Sequence, residues 1–322
     1  MKEKFSMFLR IFVSFGLLGW LMWTMRDDIS GITSILGTSN WQYLTIALII
    51  FIFNSLFLAL RMKVIFEGED IPITLWKSTR LNFIGFFFNN FLPTAVGGDI
   101  VKAHCASQAG VGRIRAYTSV MMDRIIGLYS FIFVAAVALL IDNGRFKIKS
   151  LRIIVFFCLI AGIIAFFILT NKRMENMTEK ILARIKFGKI GEKLNSFAKI
   201  IYDYRNRKDV VIKSLLLSIV SQSIYFITMY MFFLSLGSNV SIGNVFLIMP
   251  IVTMISMIPS IGGLGVREGA IVALFTPIIG RTTAFAGSML LLFGLFTLSL
   301  IGGIFYLEWN ISNKKKNGRR DE

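Results

Sequence analysis

The stretch Pro259-Ser260-Ile261-Gly262-Gly263-Leu264-Gly265-Val266-Arg267-Glu268-Gly269 constrains this chain more than any other. Apolar residues flank it on both sides, Val245 to Ile258 before and Ala270 to Ile279 after. Each flank holds about 10–14 residues, half of the roughly 20 that a full bilayer crossing needs. The proline and the glycines end one helix, and the Arg267–Glu268 pair sits where the next begins. In lipid, non-helical backbone is tolerated only where protein or a water-filled cavity surrounds it. The stretch therefore predicts a re-entrant helix–break–helix hairpin with its charges held inside the protein. The plainer alternative is a tight loop between two short surface helices.

Composition favours the membrane. Of 322 residues, 55% are hydrophobic and 16% charged, with a mean hydropathy of +0.71. A soluble domain carries about a quarter charged residues, so the chain reads as an all-α polytopic membrane protein. Its 35 basic residues against 18 acidic ones give a formal charge of +17. These bases fall between apolar runs, as the positive-inside bias requires, so no nucleic-acid partner is expected. Cys105 and Cys158 offer neither a disulfide framework nor metal-ligand spacing, and His104 has no Cys or His cluster around it. No metal and no cofactor are expected.

Apolar runs and loop charges give about six full transmembrane helices: Phe5 to Met25, Trp41 to Leu60, Ala116 to Ile141, Leu151 to Thr170, Ile212 to Leu236 and Thr282 to Trp309. Lys2 and Lys4 place the N-terminus in the cytoplasm, and the first run is too long for a signal peptide. Arg26 to Asn40 reads as an external loop. Arg61, Lys63, Lys77 and Arg80 mark a cytoplasmic one. Arg145, Lys147 and Lys149 lie on the expected outer side and count against this topology. Residues 171–211 hold 11 bases and five acids, a cytoplasmic loop. Within it Ile190, Leu194, Phe197 and Ile201 recur at helical spacing, which suits a helix on the inner leaflet or a small cytoplasmic hairpin equally. Residues 1–311 form one transmembrane domain, and 312–322 a basic cytoplasmic tail in a cell membrane protein with both termini inside.

A second interrupted hairpin enters from the opposite side. Leu81 to Phe91 is apolar but short, and Leu92-Pro93-Thr94-Ala95-Val96-Gly97-Gly98-Asp99 follows it. Asn82, Asn89 and Asn90 interrupt the run, and buried amides need partners, so they point to a protein- or water-lined path. Two halves with one broken hairpin each fit an inverted-repeat transporter. The ionisable residues in or beside apolar segments are Asp99, Lys102, Asp123, Arg124, Arg267 and Glu268, which sum to zero. Each charge at the bilayer centre costs about 2.5–3.5 kcal/mol, so they must face one another or water. Asp99 and Lys102 share one helix face at i, i+3. Asp123 and Arg124 point about 100° apart, so each needs a partner on another segment.

Helix N-termini after Gly98 and after Gly265 would present unpaired N–H groups, which suit phosphate. Lys102, Arg124 and Arg267 would add charge-assisted contacts, with Asp99, Asp123 and Glu268 holding the bases or taking up a proton. The same pairs could instead serve only to join helices. The fitting partners are membrane lipids with anionic phosphate headgroups. A glycosyl- or acyltransferase, or an accessory subunit of a partner membrane enzyme, is the alternative, and a homo-oligomer fits either. Each internal carboxylate has a base near it in sequence, and there is no Gly-x-x-x-x-Gly-Lys-Ser/Thr loop, which weighs against chemistry and against ATP.

Three motifs occur in order: Asn89-Asn90-Phe91-Leu92-Pro93 through Gly97-Gly98-Asp99 to Lys102, then Asp123-Arg124-x-x-Gly127, then Pro259-x-x-Gly262-Gly263-Leu264-Gly265-Val266-Arg267-Glu268-Gly269. In this the chain resembles the lysylphosphatidylglycerol synthase transmembrane-region family of flippase-like membrane proteins, over nearly its whole length. Lys102 stands where many relatives have arginine. The resemblance implies a stand-alone flippase-like protein whose substrate lies among phospholipids and polyprenyl-phosphate-linked sugars. It does not imply lipid aminoacylation, since the acyltransferase-like domain of the best-known members has no counterpart after Trp309.

Overall fold

The structure, a computed structural model, describes residues 2–92, 97–108, 112–141, 153, 155–157, 159–164, 202, 204, 206–258 and 260–318. The regular elements among them are all helical. In chain order they are α1 (Lys2–Thr24), α2 (Ile29–Gly37), α3 (Trp41–Gly68), α4 (Leu75–Phe91), α5 (Gly97–Gln108), α6 (Arg113–Ile141), α7 (Lys208–Ser235), α8 (Ile242–Ile255), α9 (Val266–Ile279) and α10 (Arg281–Gly318). Of these, α3, α6, α7 and α10 are long and apolar enough to cross a membrane, and α1 covers the first expected span.

Both hairpins form, as α4 and α5 around residues 92–96 and as α8 and α9 around residues 256–265. Of the expected span Leu151 to Thr170, residues 153, 155–157 and 159–164 are described and helical, while most of the loop 171–211, its apolar stripe, Pro93, Pro259 and the end of the tail lie outside the described residues. Helix boundaries differ from the sequence reading at several points; α4, for one, begins at Leu75 and takes in Lys77 and Arg80, which were expected in a loop. Residues 26–40 are not a plain loop: a short 3-10 turn and α2 fill them, because Ile29, Ile32 and Ile35 supply an apolar stripe. Helix α10 continues through the first residues of the expected tail. Helix α3 runs to Gly68, well past Leu60, and carries Arg61 into the protein.

The helices fall into two sets of the same design, a long helix, a broken pair and a second long helix: α3 to α6, then α7 to α10. Exchanging the sets maps the packing onto itself. Helix α4 packs on α10 as α8 packs on α6, α5 on α6 as α9 on α10, and α3 on α4 as α7 on α8. The equivalent helices α3 and α7 pack on each other along their length. Gly68 meets Val210, Arg61 meets Ser218, Phe51 meets Tyr225, and the Asn40 N–H donates to the Ser235 carbonyl at 2.7 Å. They are therefore antiparallel, and equivalent elements that run in opposite directions define an inverted repeat.

Close packing holds these helices, because lipid tails are as apolar as leucine and give little hydrophobic drive for association. Phe226, Met229, Phe232 and Phe233 of α7 are fully buried against Phe51 of α3, Phe275 of α9 and Leu291 of α10. Helix α10 crosses α4 at Gly302, where any Cβ would collide with the Phe83 carbonyl. Outward-facing Trp41, Ile49, Leu140 and Leu300 are exposed, as side chains in contact with lipid should be.

Candidate functional site

Asn82, Gly85 and Asn89 recur on α4 at i, i+3 and i+7, one face of a helix. That face meets α5 closely enough that a Cβ on Gly98 would collide with the Gly85 carbonyl. The Gly98 N–H donates to Asn89 Oδ1 at 3.0 Å, so Asn89 caps α5 across the break. Gly97 and Gly98 are both buried. This fixes the first turn of α5 with Asp99 and Lys102 turned toward α6.

There Asp123 and Arg124 find separate partners, as their angular separation demands. Arg124 Nη1 donates to Asp99 Oδ2. Asp123 is deeper, and its main partner is Arg61, which the sequence reading had assigned to a loop. Arg61 donates from Nε to Asp123 Oδ1 at 2.7 Å and from Nη2 to Oδ2 at 3.0 Å, with Nη1 to Ser218 Oγ at 3.0 Å. Lys102 Nζ links the two carboxylates, 3.3 Å from Asp123 Oδ2 and 3.7 Å from Asp99 Oδ1, and also donates to Asn82 Oδ1 at 3.2 Å. Arg61 corrects the expected neutrality of the buried charges. Three cations, Arg61, Lys102 and Arg124, meet two carboxylates, Asp99 and Asp123, leaving one positive charge among the described residues of the cluster.

The second break is built differently. Gly262, Gly263 and Gly265 have φ of +56°, +81° and +79°, the left-handed region that favours glycine. Glu268 turns back on its own helix: Oε2 accepts from the Gly265 N–H at 2.6 Å, and Oε1 accepts from Arg267 Nε at 3.0 Å and Nη2 at 2.6 Å. Arg267 Nη1 reaches the Gly262 carbonyl at 3.3 Å. The open anion site expected at the start of α9 is thus filled by the chain's own carboxylate. Helix α1 covers the break, with Ser14 Oγ accepting from the Ile261 N–H at 2.7 Å, so this is no exposed loop.

The two breaks meet through Asn89 and Asn90. A Cβ on Gly262 would lie 2.8 Å from Asn90 Oδ1 and 2.9 Å from the Asn89 carbonyl. Asn90 Nδ2 donates to Ser299 Oγ at 2.6 Å, tying this junction to α10. Asn89 therefore caps one hairpin with its side chain while its backbone touches the other.

A cavity of about 380 Å³ opens beside the cluster, within the range of about 300–1,000 Å³ for small-molecule sites. Arg61, Lys102, Asp123 and Arg124 form its polar side, and Phe51, Leu58, Phe86, Leu128 and Phe131 its apolar one. Asn54 Oδ1 and Asn82 Nδ2 are buried in its wall without a hydrogen-bond partner among the described residues. Arg267 and Glu268 do not line this cavity. No group of three metal-ligating side chains occurs among the described residues.

Sequence reasoning reached Asp123 but not Arg61, Asn54, Ser218 or Tyr225. Gly127 held the missing signal, since a glycine four residues after a buried acid leaves room for that acid's partner. A Cβ there would lie 3.0 Å from Arg61 Nη1. Gly127→Val should push the guanidinium off Asp123 and cost about 1–3 kcal/mol by overpacking. Chemical unfolding in micelles, with a parent-like midpoint as the contrary result, checks this.

Comparison with known proteins agrees with the site's three motifs. Residues 7–304 match the family described as Lysylphosphatidylglycerol synthase TM region. A UPF0104 membrane protein of Pyrococcus horikoshii is 28% identical over 298 residues, covering 83% of this chain and 87% of the relative. Another, from Methanothermobacter thermautotrophicus, is 24% identical over 256 residues, covering 73% and 75%. With two broken hairpins that meet at Asn89 and Asn90 and a buried charge cluster between α3, α5 and α6, in a multi-pass helical membrane fold, this chain belongs to the lysylphosphatidylglycerol synthase transmembrane-region family.

Proposed function

We propose that this protein moves a phosphate-headed amphiphile, a phospholipid or a polyprenyl-phosphate-linked sugar, between the leaflets of the cell membrane, with both chain termini in the cytoplasm. The observation that carries this reading is the surplus positive charge buried beside a cavity with one polar side and a larger apolar one. A lone buried charge is costly, and a bound anion compensates it. The apolar wall suits the first carbons of a lipid tail. Asp123 and Arg61 anchor the polar side, Lys102 and Arg124 contact the phosphate, and Asn89 with the Gly262 break transmits movement between the hairpins. The inverted repeat supports alternating access by rocking one set of helices against the other.

The test is reconstitution of the purified protein into vesicles carrying labelled phosphatidylglycerol in one leaflet. Faster leaflet exchange than in protein-free vesicles, with lipid mass unchanged, is the expected result. Exchange at the protein-free rate would overturn the reading. A new lipid species would favour the transferase alternative, and activity only with an added membrane enzyme would favour the accessory subunit.

A further inference from the structure

We infer that Asp99 is the exchangeable counter-ion of the cavity: an entering phosphate takes its place on Arg124 and Lys102, while Arg61 and Asp123 stay paired. This rests on the cavity being a phosphate-headgroup site, and it assigns unequal roles to two carboxylates that sequence treats alike.

The two acids are held unequally. Asp123 accepts from both Arg61 nitrogens and from Lys102, and its side chain is 5% exposed. Among the described residues Asp99 has one hydrogen bond, from Arg124, and a looser contact with Lys102 at 3.7 Å. The Arg124–Asp99 pair is also the more open one, with side chains 26% and 13% exposed against 8% and 5% for Arg61–Asp123. An anion entering from the cavity therefore meets Arg124 and Asp99 first.

The inverted repeat gives an independent comparison. Asp99 is the third residue of α5, and Glu268 the third residue of α9. Glu268 is tied to the Gly265 N–H and to two nitrogens of Arg267 on its own helix, whereas Asp99 is held by Arg124 on another helix and loosely by Lys102. Among the described residues Asp99 is thus left with a partner that a ligand can claim. Once displaced it remains in the first turn of α5, where the helix dipole favours a negative charge.

A third observation marks where the phosphate would sit. Asn82 accepts from Lys102 through Oδ1, yet its Nδ2 is buried with no partner among the described residues. That N–H₂ group lies beside the ammonium and is free to donate to a phosphate oxygen. A monoanionic phosphate seated there brings the described cluster from one surplus positive charge to neutrality.

The exchange predicts that removing the Asp99 charge tightens anion binding, since the ligand no longer competes with a carboxylate. Dihexanoyl phosphatidylglycerol and, separately, inorganic phosphate are titrated into purified full-length protein in detergent by calorimetry, with the melting temperature recorded for each variant. Asp99→Asn should bind the lipid about tenfold more tightly than the parent, and Asp99→Glu should bind near the parent value. Tightening confined to inorganic phosphate would support the exchange and overturn a lipid headgroup as the ligand. Equal or weaker binding by an Asp99→Asn protein that melts like the parent would overturn the inference, while parental lipid binding and leaflet exchange would leave the flippase reading standing. Absence of binding to the parent by either probe would overturn both.

Discussion

Arg61→Ala should lose about 3–5 kcal/mol of stability, the range found when one partner of a buried ion pair is removed. Arg61 is 7% exposed and gives Asp123 both of its short hydrogen bonds. Without it Asp123 keeps, among the described residues, only Lys102, which is shared with Asp99 and Asn82. The vacated space beside Gly127 and Ser218 adds a cavity term. Chemical unfolding in micelles measures the loss, and a variant as stable as the parent would show that the pair is immaterial to the fold. The double variant Arg61→Met with Asp123→Leu decides what the pair is for. Replacing both charges with apolar groups of similar size is often neutral for stability, so most of the loss should be recovered. Leaflet exchange should nevertheless stay below the parental rate, because Lys102 loses the Asp123 carboxylate that positions it beside the cavity. Recovery of both stability and exchange would make the pair a helix-to-helix contact and nothing more.

The legibility of this site varied with the kind of signal. Both hairpins were readable because glycine clusters inside apolar runs leave the backbone few options in lipid, and the structure puts breaks at both. The separate destinations of Asp123 and Arg124 followed from the angle between adjacent helical residues. Arg61 was missed for a definite reason. Counting about 20 residues for a span ended α3 at Leu60 and handed the next charge to a loop, although Met62, Ile65 and Phe66 continue the buried face of the same helix. A span can exceed the bilayer by tilting or by extending beyond it, so a single base at a nominal end is as readily inside as outside. The inverted repeat was readable as two broken hairpins entering from opposite sides, but the contact that joins its halves was not. That contact is α3 packing antiparallel on α7, between residues more than 140 positions apart such as Gly68 and Val210. At the second break Glu268 stands three residues after the N-cap Gly265, the position whose carboxylate turns back to the N-cap amide in a capping box, and this explains why that helix start is closed to a ligand.

Glu268→Ala should be comparably destabilising, at about 3–5 kcal/mol, through a different chain of contacts. Glu268 is fully buried and satisfies three donors: the Gly265 N–H and two nitrogens of Arg267. Alanine removes the helix cap, about 1 kcal/mol on its own, and leaves Arg267 as a buried cation whose remaining partner is the Gly262 carbonyl. Glu268→Gln separates the two contributions, because an amide oxygen can still accept from Gly265 but no longer neutralises Arg267. It should fall between alanine and the parent. The consequence should also reach the first hairpin. Gly262 sits against Asn89 and Asn90, and Asn89 caps α5 directly before Asp99. A loosened second break should therefore expose the Gly98 amide of the first, which hydrogen exchange followed by mass spectrometry would detect in the peptide spanning α5. Faster exchange at Gly98 in Glu268→Ala, at denaturant levels where the protein stays folded, is the expected result. Unchanged protection there would mean that the two breaks touch without acting on each other, and the headgroup would then have to be moved by one hairpin alone.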